Sequence, residues 1–181
     1  MFTSSNDATA KADTLKYISK ARLLIHADQT IPQLTQMLKG SDPVQRVADA
    51  SVMIAQRVDA ASRTSGHEVN DGLKVAAGME IVNDISDVLE ASLGTVLNKD
   101  LRYLAFSVTI QDYVKAEVKA RRMNAQQLRV SMQQGIRQMP AKTQKEVKMA
   151  PAKIQAIARK YNHGKGLASF PPDPKQVKAE K

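Results

Sequence analysis

Three carboxylates in one stretch of the chain have the spacing that acid–base or metal chemistry needs. Glu80, Asp84 and Asp87 lie at i, i+4 and i+7 of a segment with helical periodicity, so they share one face, with Glu90 beside it. Carboxylates so placed can hold a divalent cation or act as paired acid and base. No histidine stands at a matching position, and the residues occupy the polar side of an amphipathic helix. The pattern therefore favours a solvated acidic face. A further hypothesis is that this face contacts the chain's own basic stripe, described below, or the stripe of a neighbouring subunit.

Other residue types that carry catalysis lack their usual arrangement. His26, His67 and His163 are far apart at predicted turns and do not have ligand spacing. The sequence HGKG at 163–166 lacks the full phosphate-loop pattern and follows no strand, so we interpret it as a flexible joint. No serine lies in G-x-S-x-G, and the chain contains no cysteine, which excludes disulfides and thiolate zinc sites. We expect a non-enzymatic protein with no cofactor and no metal.

Charge is divided between the two parts of the chain. Residues 1–114 carry 11 Lys or Arg against 14 Asp or Glu, whereas residues 115–181 carry 16 against 4. The corresponding net charges are −3 and +12. This asymmetry predicts a mildly acidic folded body with a basic end that attracts polyanions or acidic protein surfaces.

The basic end begins within a predicted helix. If that helix continues through Asn124, steps of three or four residues define one face, here called the basic stripe: Lys115, Lys119, Arg122, Gln126, Arg129, Gln133 and Arg137. Such a face can follow a phosphate backbone, because each neutralised phosphate releases counterions. A solvated helix surface is the alternative. The absence of Phe and Trp between residues 107 and 169 argues against base stacking, and nothing supports sequence-specific recognition.

A second basic series follows the stripe, and it comprises Lys142, Lys145, Lys148, Lys153, Arg159 and Lys160. Charge alone does not choose among DNA, RNA, an anionic membrane and an acidic protein channel as its partner. A flexible tail kept in solution by its charge is the alternative. Membrane contact fits the apolar residues of the N-terminal segment better, although a helix facing the core is favoured there; these residues are Leu15, Ile18, Leu23 and Ile25.

The composition predicts helices. Four Tyr, three Phe and no Trp leave an aliphatic core, and the chain has no apolar stretch long enough for a signal peptide or a spanning helix. We expect an all-α fold, a helical bundle of about five to seven helices with a basic, partly disordered C-terminal extension. The predicted organisation is a mobile arm over 1–11, a helical domain over 12–139 and the extension over 140–181.

Capping residues place most of the predicted helix boundaries. Asp42 before Pro43 starts a long helix, Asn70 or Asp71 starts another, and Gly94 ends it. The stretch from Asn98 to Asp100 opens the next helix. The predicted helices are one ending near 26–29, then 32–39, 43–64, 71–93, 100–122 and 125–139, with a further short helix after residue 151.

Three consecutive predicted helices lie in the stretch 28–92: a short helix ending in MLKG at 37–40, a Val- and Ala-rich helix begun by Pro43, and a following helix with Gly78, Glu80 and Asp84. In these features the stretch resembles small helical virion proteins of tailed bacteriophages. The resemblance covers about a third of the chain. It implies a structural protein of the particle, near the portal or among the internal proteins ejected with the genome, in a symmetric assembly. It implies no catalytic residues.

These observations lead to one main hypothesis and two others. The main one is a non-enzymatic bacteriophage virion protein, an ejection or portal-associated component made in the host cytoplasm and located in the virion. Its expected partners are further copies of itself, other virion proteins such as portal, tail or ejection proteins, and DNA bound without sequence preference. The alternative is a soluble cytoplasmic nucleic-acid-binding or regulatory helical module. A metal-dependent enzyme using Glu80, Asp84 and Asp87 is a remote third.

Overall fold

A computed structural model describes residues 4–66 and 69–120, together with Val130 and Arg137. This part of the chain contains no strand, which confirms the all-α prediction. Its five helices are α1 (Ser4–Ile25), α2 (Ile31–Leu38), α3 (Pro43–Thr64), α4 (Asp71–Leu93) and α5 (Lys99–Lys119). The helix predicted over 125–139, apart from those two helical residues, and the one predicted after residue 151 lie outside the described residues.

Three helices begin at the capping residues that the sequence predicts. Asp42 Oδ1 accepts a hydrogen bond from Gln45 N at 3.0 Å at the start of α3. Asn70 and Asn98 cap α4 and α5 in the same way, with distances of 2.7 and 3.0 Å to backbone N–H groups. Each cap stabilises its helix by about 1 kcal/mol.

Glycine ends α4 where the sequence predicts. Gly94 has φ 66°, a left-handed conformation, and its N–H donates to Glu90 O at 2.9 Å. Gly40, after α2, also has a positive φ of 140°, although the extended Lys39 is the residue that caps that helix.

The first helix differs from its prediction in length and in buried face. It begins at Ser4, inside the stretch predicted to be an arm. Residues 8–12 are rich in alanine, which continues a helix without any apolar face. Ile18 and Ile25 are buried as expected, but their buried neighbours are Tyr17 and Ala21, whereas Leu15 points to solvent.

The helices pack around α4, which contacts α1, α3 and α5. It runs antiparallel to α5, since Lys74 meets Tyr113 near one end and Arg102 meets Asp87 near the other. The two helices approach closely at Gly78, where a Cβ would lie 3.1 Å from Phe106 Cε2. The largest fully buried aliphatic side chains are Ile25, Leu34, Leu38, Ile54, Ile81, Ile85, Leu89 and Leu104.

The last described helix, α5, is covered on all sides along its middle part, because residues 103–111 are all buried. None of the helices in the described ranges has the length and apolarity required to cross a membrane.

Candidate functional site

The acidic face of α4 is paired with arginine at two places. At the first, Arg22 of α1 donates from Nε to Asp84 Oδ2 at 2.8 Å and from Nη2 to Glu80 Oε2 at 3.4 Å. Because the hydrogen bond to Asp84 and its negative charge favour the cation, the pKa of Arg22 is raised above its ordinary value. The contact fixes the C-terminal half of α1 on α4.

The second arginine, Arg102 of α5, joins the end of α4 to the connection that follows it. Its Nη2 donates to Asp87 Oδ1 at 2.8 Å and its Nε donates to Leu97 O at 3.0 Å. Nη1 lies 3.4 Å from Asn83 O, and Nη2 lies 3.9 Å from Glu90 Oε2. One guanidinium therefore holds α4, the 94–98 connection and α5 in place.

These contacts change the interpretation of the acidic face. Asp84 is largely covered by Arg22, whereas the side chains of Glu80, Asp87 and Glu90 are about half exposed or more, as a solvated face requires. Over residues 4–66 and 69–120, its cationic partners are Arg22 and Arg102, and neither belongs to the basic stripe. The described residues contain no group of three or more His, Cys, Asp or Glu arranged to hold a metal ion. His26 is exposed just after α1, and the other two histidines lie outside the described residues.

The structure describes the beginning of the basic stripe. Lys115 and Lys119 are exposed and share one face on the last turns of α5, and Lys115 Nζ lies 3.6 Å from Asp112 Oδ1. Arg137 is helical and exposed. The remaining predicted contact residues lie outside the described residues, so their role as contacts stays a prediction: Arg122, Arg129, Lys142, Lys145, Lys148, Lys153, Arg159 and Lys160.

A buried polar cluster centred on Asp59 is the feature that the sequence analysis missed. Asp59 of α3 is only 2% exposed, yet its carboxylate has partners on three other helices. Oδ1 accepts from the Tyr17 hydroxyl of α1 at 3.1 Å, and Oδ2 accepts from the Tyr113 hydroxyl of α5. Lys74 Nζ of α4 lies 3.3 Å from Oδ2. One side chain thus connects four of the five described helices.

The surroundings of this cluster fix its protonation. Burial raises the pKa of Tyr17 and of Tyr113, and the negative charge of Asp59 raises both further. Both hydroxyls therefore keep their hydrogens and donate them to the carboxylate. Lys74 also pairs with Asp71 at 2.9 Å and lies 5.8 Å from the centre of the Tyr113 ring.

A small cavity of about 30 Å³ lies beside the cluster, between α3, α4 and α5. Lys74 and Tyr113 form part of its wall, with Ser51 and Thr109. The two wall hydroxyls donate within their own helices, Ser51 Oγ to Val47 O and Thr109 Oγ1 to a backbone carbonyl one turn back. The space is about the size of one water molecule, and most of its other lining residues are apolar. The arrangement can therefore position helices, but the cavity is too small for a larger ligand.

One local signal for Asp59 was present in the sequence. The residue stands between apolar positions of α3, next to Val58 and one turn after Ala55, where a solvated carboxylate is not expected. Its three partners lie between 15 and 54 positions away, so spacing alone cannot identify them.

No protein-family model, curated protein or solved structure matches this chain. Its function must therefore be inferred from its own charges, contacts and surfaces.

Proposed function

We propose that this chain is a non-enzymatic structural protein of a tailed-bacteriophage particle, an ejection or portal-associated component. Its helical body forms a bundle that assembles with further copies, and its basic end contacts DNA or an acidic protein surface. The observation that carries the proposal is the change of charge within α5. Lys115 and Lys119 are exposed on the last turns of a helix that is anchored in the core through Tyr113.

The chain beyond this helix extends the positive charge. Residues 120–181 contain 14 Lys or Arg against 3 Asp or Glu. A charge excess of this size favours contact with phosphate backbones or acidic protein walls, and it makes that contact sensitive to salt. Because α5 is anchored in the core, the basic segment that follows it begins at a fixed position on the body.

The contacts between helices support a body with one defined packing. The buried Asp59 connects four helices, while the more exposed pairs of Arg22 and Arg102 attach α1 and α5 to α4. Buried polar networks whose members are satisfied favour a unique arrangement. A subunit of a symmetric assembly needs this property because its contact surfaces must be the same in every copy.

Mass spectrometry of purified particles tests the proposal. We expect peptides of this chain in particles that have been treated with nuclease and protease and banded by density. Particles grown with the gene deleted serve as the control. Absence of the chain from wild-type particles would contradict a virion role.

The same gene deletion distinguishes the proposed virion role from the alternative function. A nucleic-acid-binding module acting in the host cytoplasm is favoured by the exposed Lys115 and Lys119 alone, and it requires no particle. That module would remain in the cell lysate with the nucleic acid, and particles would assemble normally without it.

A further inference from the structure

The outer face of α1 combines exposed leucines with lysines. Leu15 is 56% exposed and Leu23 is 75% exposed, two helical turns apart along the same side. Lys16 and Lys20 are exposed beside them. With Lys11 and Asp13 included, this face carries an excess of two positive charges in addition to the paired Arg22.

A second surface, here called the acidic end of α4, has the opposite charge. Asp87 is 65% exposed and Glu90 is 51% exposed. Leu93 is exposed on the last turn, and Val96 in the connection to α5 is 62% exposed. Asp87 and Glu90 share one cation, Arg102, which leaves an excess of one negative charge at this end.

Exposed apolar side chains are concentrated on these two surfaces. Six large hydrophobic residues are exposed in the described part of the chain, and four of them lie here; the remaining two are Ile31 and Val130. Scattered exposed apolar residues are normal, but apolar residues flanked by complementary charge are typical of interfaces.

We propose that the outer face of α1 in one copy binds the acidic end of α4 in a second copy. This inference deepens the proposed function and rests on its claim that the chain forms homo-oligomers. The leucines of α1 pack on Leu93 and Val96, while Lys16 and Lys20 lie near Asp87 and Glu90. Because the two surfaces differ, each copy can contact two neighbours, and the contact can repeat around a ring.

The size of the α1 face sets the strength of the contact. From Lys11 to Ile25 the helix is about 22 Å long and its face about 10 Å wide. This area is smaller than the ~800 Å² per partner of a standard stable interface. A single contact is therefore weak and depends on concentration and salt, whereas every copy in a closed ring takes part in two such contacts.

Charge reversal with complementation tests the contact. Lys20→Glu and Glu90→Lys each place a like charge at the interface, and sedimentation equilibrium on the full chain should show about a fivefold weaker association for each. An equimolar mixture of the two variants should recover association, because the reversed charges are complementary between them. Leu23→Ser should also weaken association and leave the thermal unfolding midpoint unchanged, since its side chain is solvated.

Lys39→Glu is the matched control. Lys39 is exposed directly after α2, outside both proposed surfaces, and within the described part its side chain bonds to Gln36 at 3.2 Å, so its reversal should leave association unchanged. The inference is wrong if Lys20→Glu associates as strongly as this control does, or if the mixture of the two variants recovers no association.

Binding of the wild-type chain to anionic phospholipid vesicles, with the chain itself monomeric, would identify the α1 face as a membrane contact instead. If the chain is present in particles but the variants associate as strongly as the wild-type chain, this inference is wrong and the virion role stands. If the chain associates through these surfaces but is absent from particles, the virion role is wrong and this inference stands.

Discussion

The Tyr113 hydroxyl donates its hydrogen to Asp59 from 54 residues away in the sequence, and the hydroxyl of Tyr17 donates to the same carboxylate from 42 residues away. With Lys74, they surround a carboxylate that has almost no contact with solvent. The charge is therefore stabilised entirely by groups from other helices. A single substitution can remove each of these side-chain groups, so their contributions can be measured separately.

Replacing the central carboxylate should be costly. Asp59→Asn removes the charge that Lys74 and two hydroxyls share and leaves the lysine with Asp71 as its carboxylate partner. We expect a loss of about 3 kcal/mol in the free energy of unfolding, measured in urea. Asp28→Asn, at an exposed position, is the control and should change stability by less than about 0.5 kcal/mol. Equal stability of the two variants would show that the cluster contributes nothing to the fold.

Stability should fall in alkali because of the two tyrosines. Their pKa values are raised in the folded chain, whereas an unfolded tyrosine loses its proton near pH ~10. Above that pH the unfolded state binds fewer protons than the folded state, so the free energy of unfolding decreases as pH rises. The slope is up to about 1.4 kcal/mol per pH unit for each tyrosine, and below about pH 9 these groups cause no change.

Tyr17→Phe should remove about half of this alkaline slope. Urea unfolding at a series of pH values measures it, and the absorbance of tyrosinate reports the titration directly. A slope identical in the wild-type chain and the variant would contradict the assignment of the effect to this cluster.

The guanidinium of Arg102 should not be replaceable by an ammonium. Arg102→Lys keeps the charge but cannot reach Asp87, Leu97 O and Asn83 O together, so we expect a loss of about 1 to 2 kcal/mol. Hydrogen exchange should rise in the 94–98 connection. Arg46→Lys, whose arginine is exposed and lies 4.0 Å from Asp49, should be nearly neutral.

Binding to duplex DNA should weaken steeply with salt. Lys115→Glu combined with Lys119→Glu should reduce the slope of log affinity against log salt by about 2, and removal of residues 140–181 should flatten it much further. Fluorescence anisotropy with a duplex of mixed sequence measures both. Lys39→Glu again provides the control, and a slope near zero in the wild-type chain would exclude a DNA contact.

Local chemistry explains why most helix boundaries could be predicted. Asp42 and Asn98 bond to backbone N–H groups three residues ahead, and Gly94 adopts the left-handed conformation that ends a helix. These interactions depend on a few neighbouring residues and can therefore be recognised in the sequence.

Contacts between distant residues could not be predicted in the same way. The buried side of α1 depends on what its partners offer, so Tyr17, which reaches Asp59, is buried in place of the more apolar Leu15. The acidic face of α4 was recognised from its spacing, but its pairing with Arg22 required the position of α1 on α4. The Asp59 cluster was hard to predict for two reasons: a charged residue is buried, and all of its partners are distant in the sequence.

The position of Tyr113 near the end of α5 has a mechanical consequence. A force applied to the basic segment would enter the body at Ala120, seven residues after Tyr113 and two turns from the Asp59 carboxylate that anchors it. The first tertiary contacts to bear that load would be those of Val118, which packs against the core, and of the buried Glu117. The hydrogen bond from Tyr113 to Asp59 would follow about one turn further into the helix. Pulling on the C-terminus should therefore load the Asp59 cluster once the last turn of α5 has come away, and we expect the cluster to raise the force at which α5 detaches from α3.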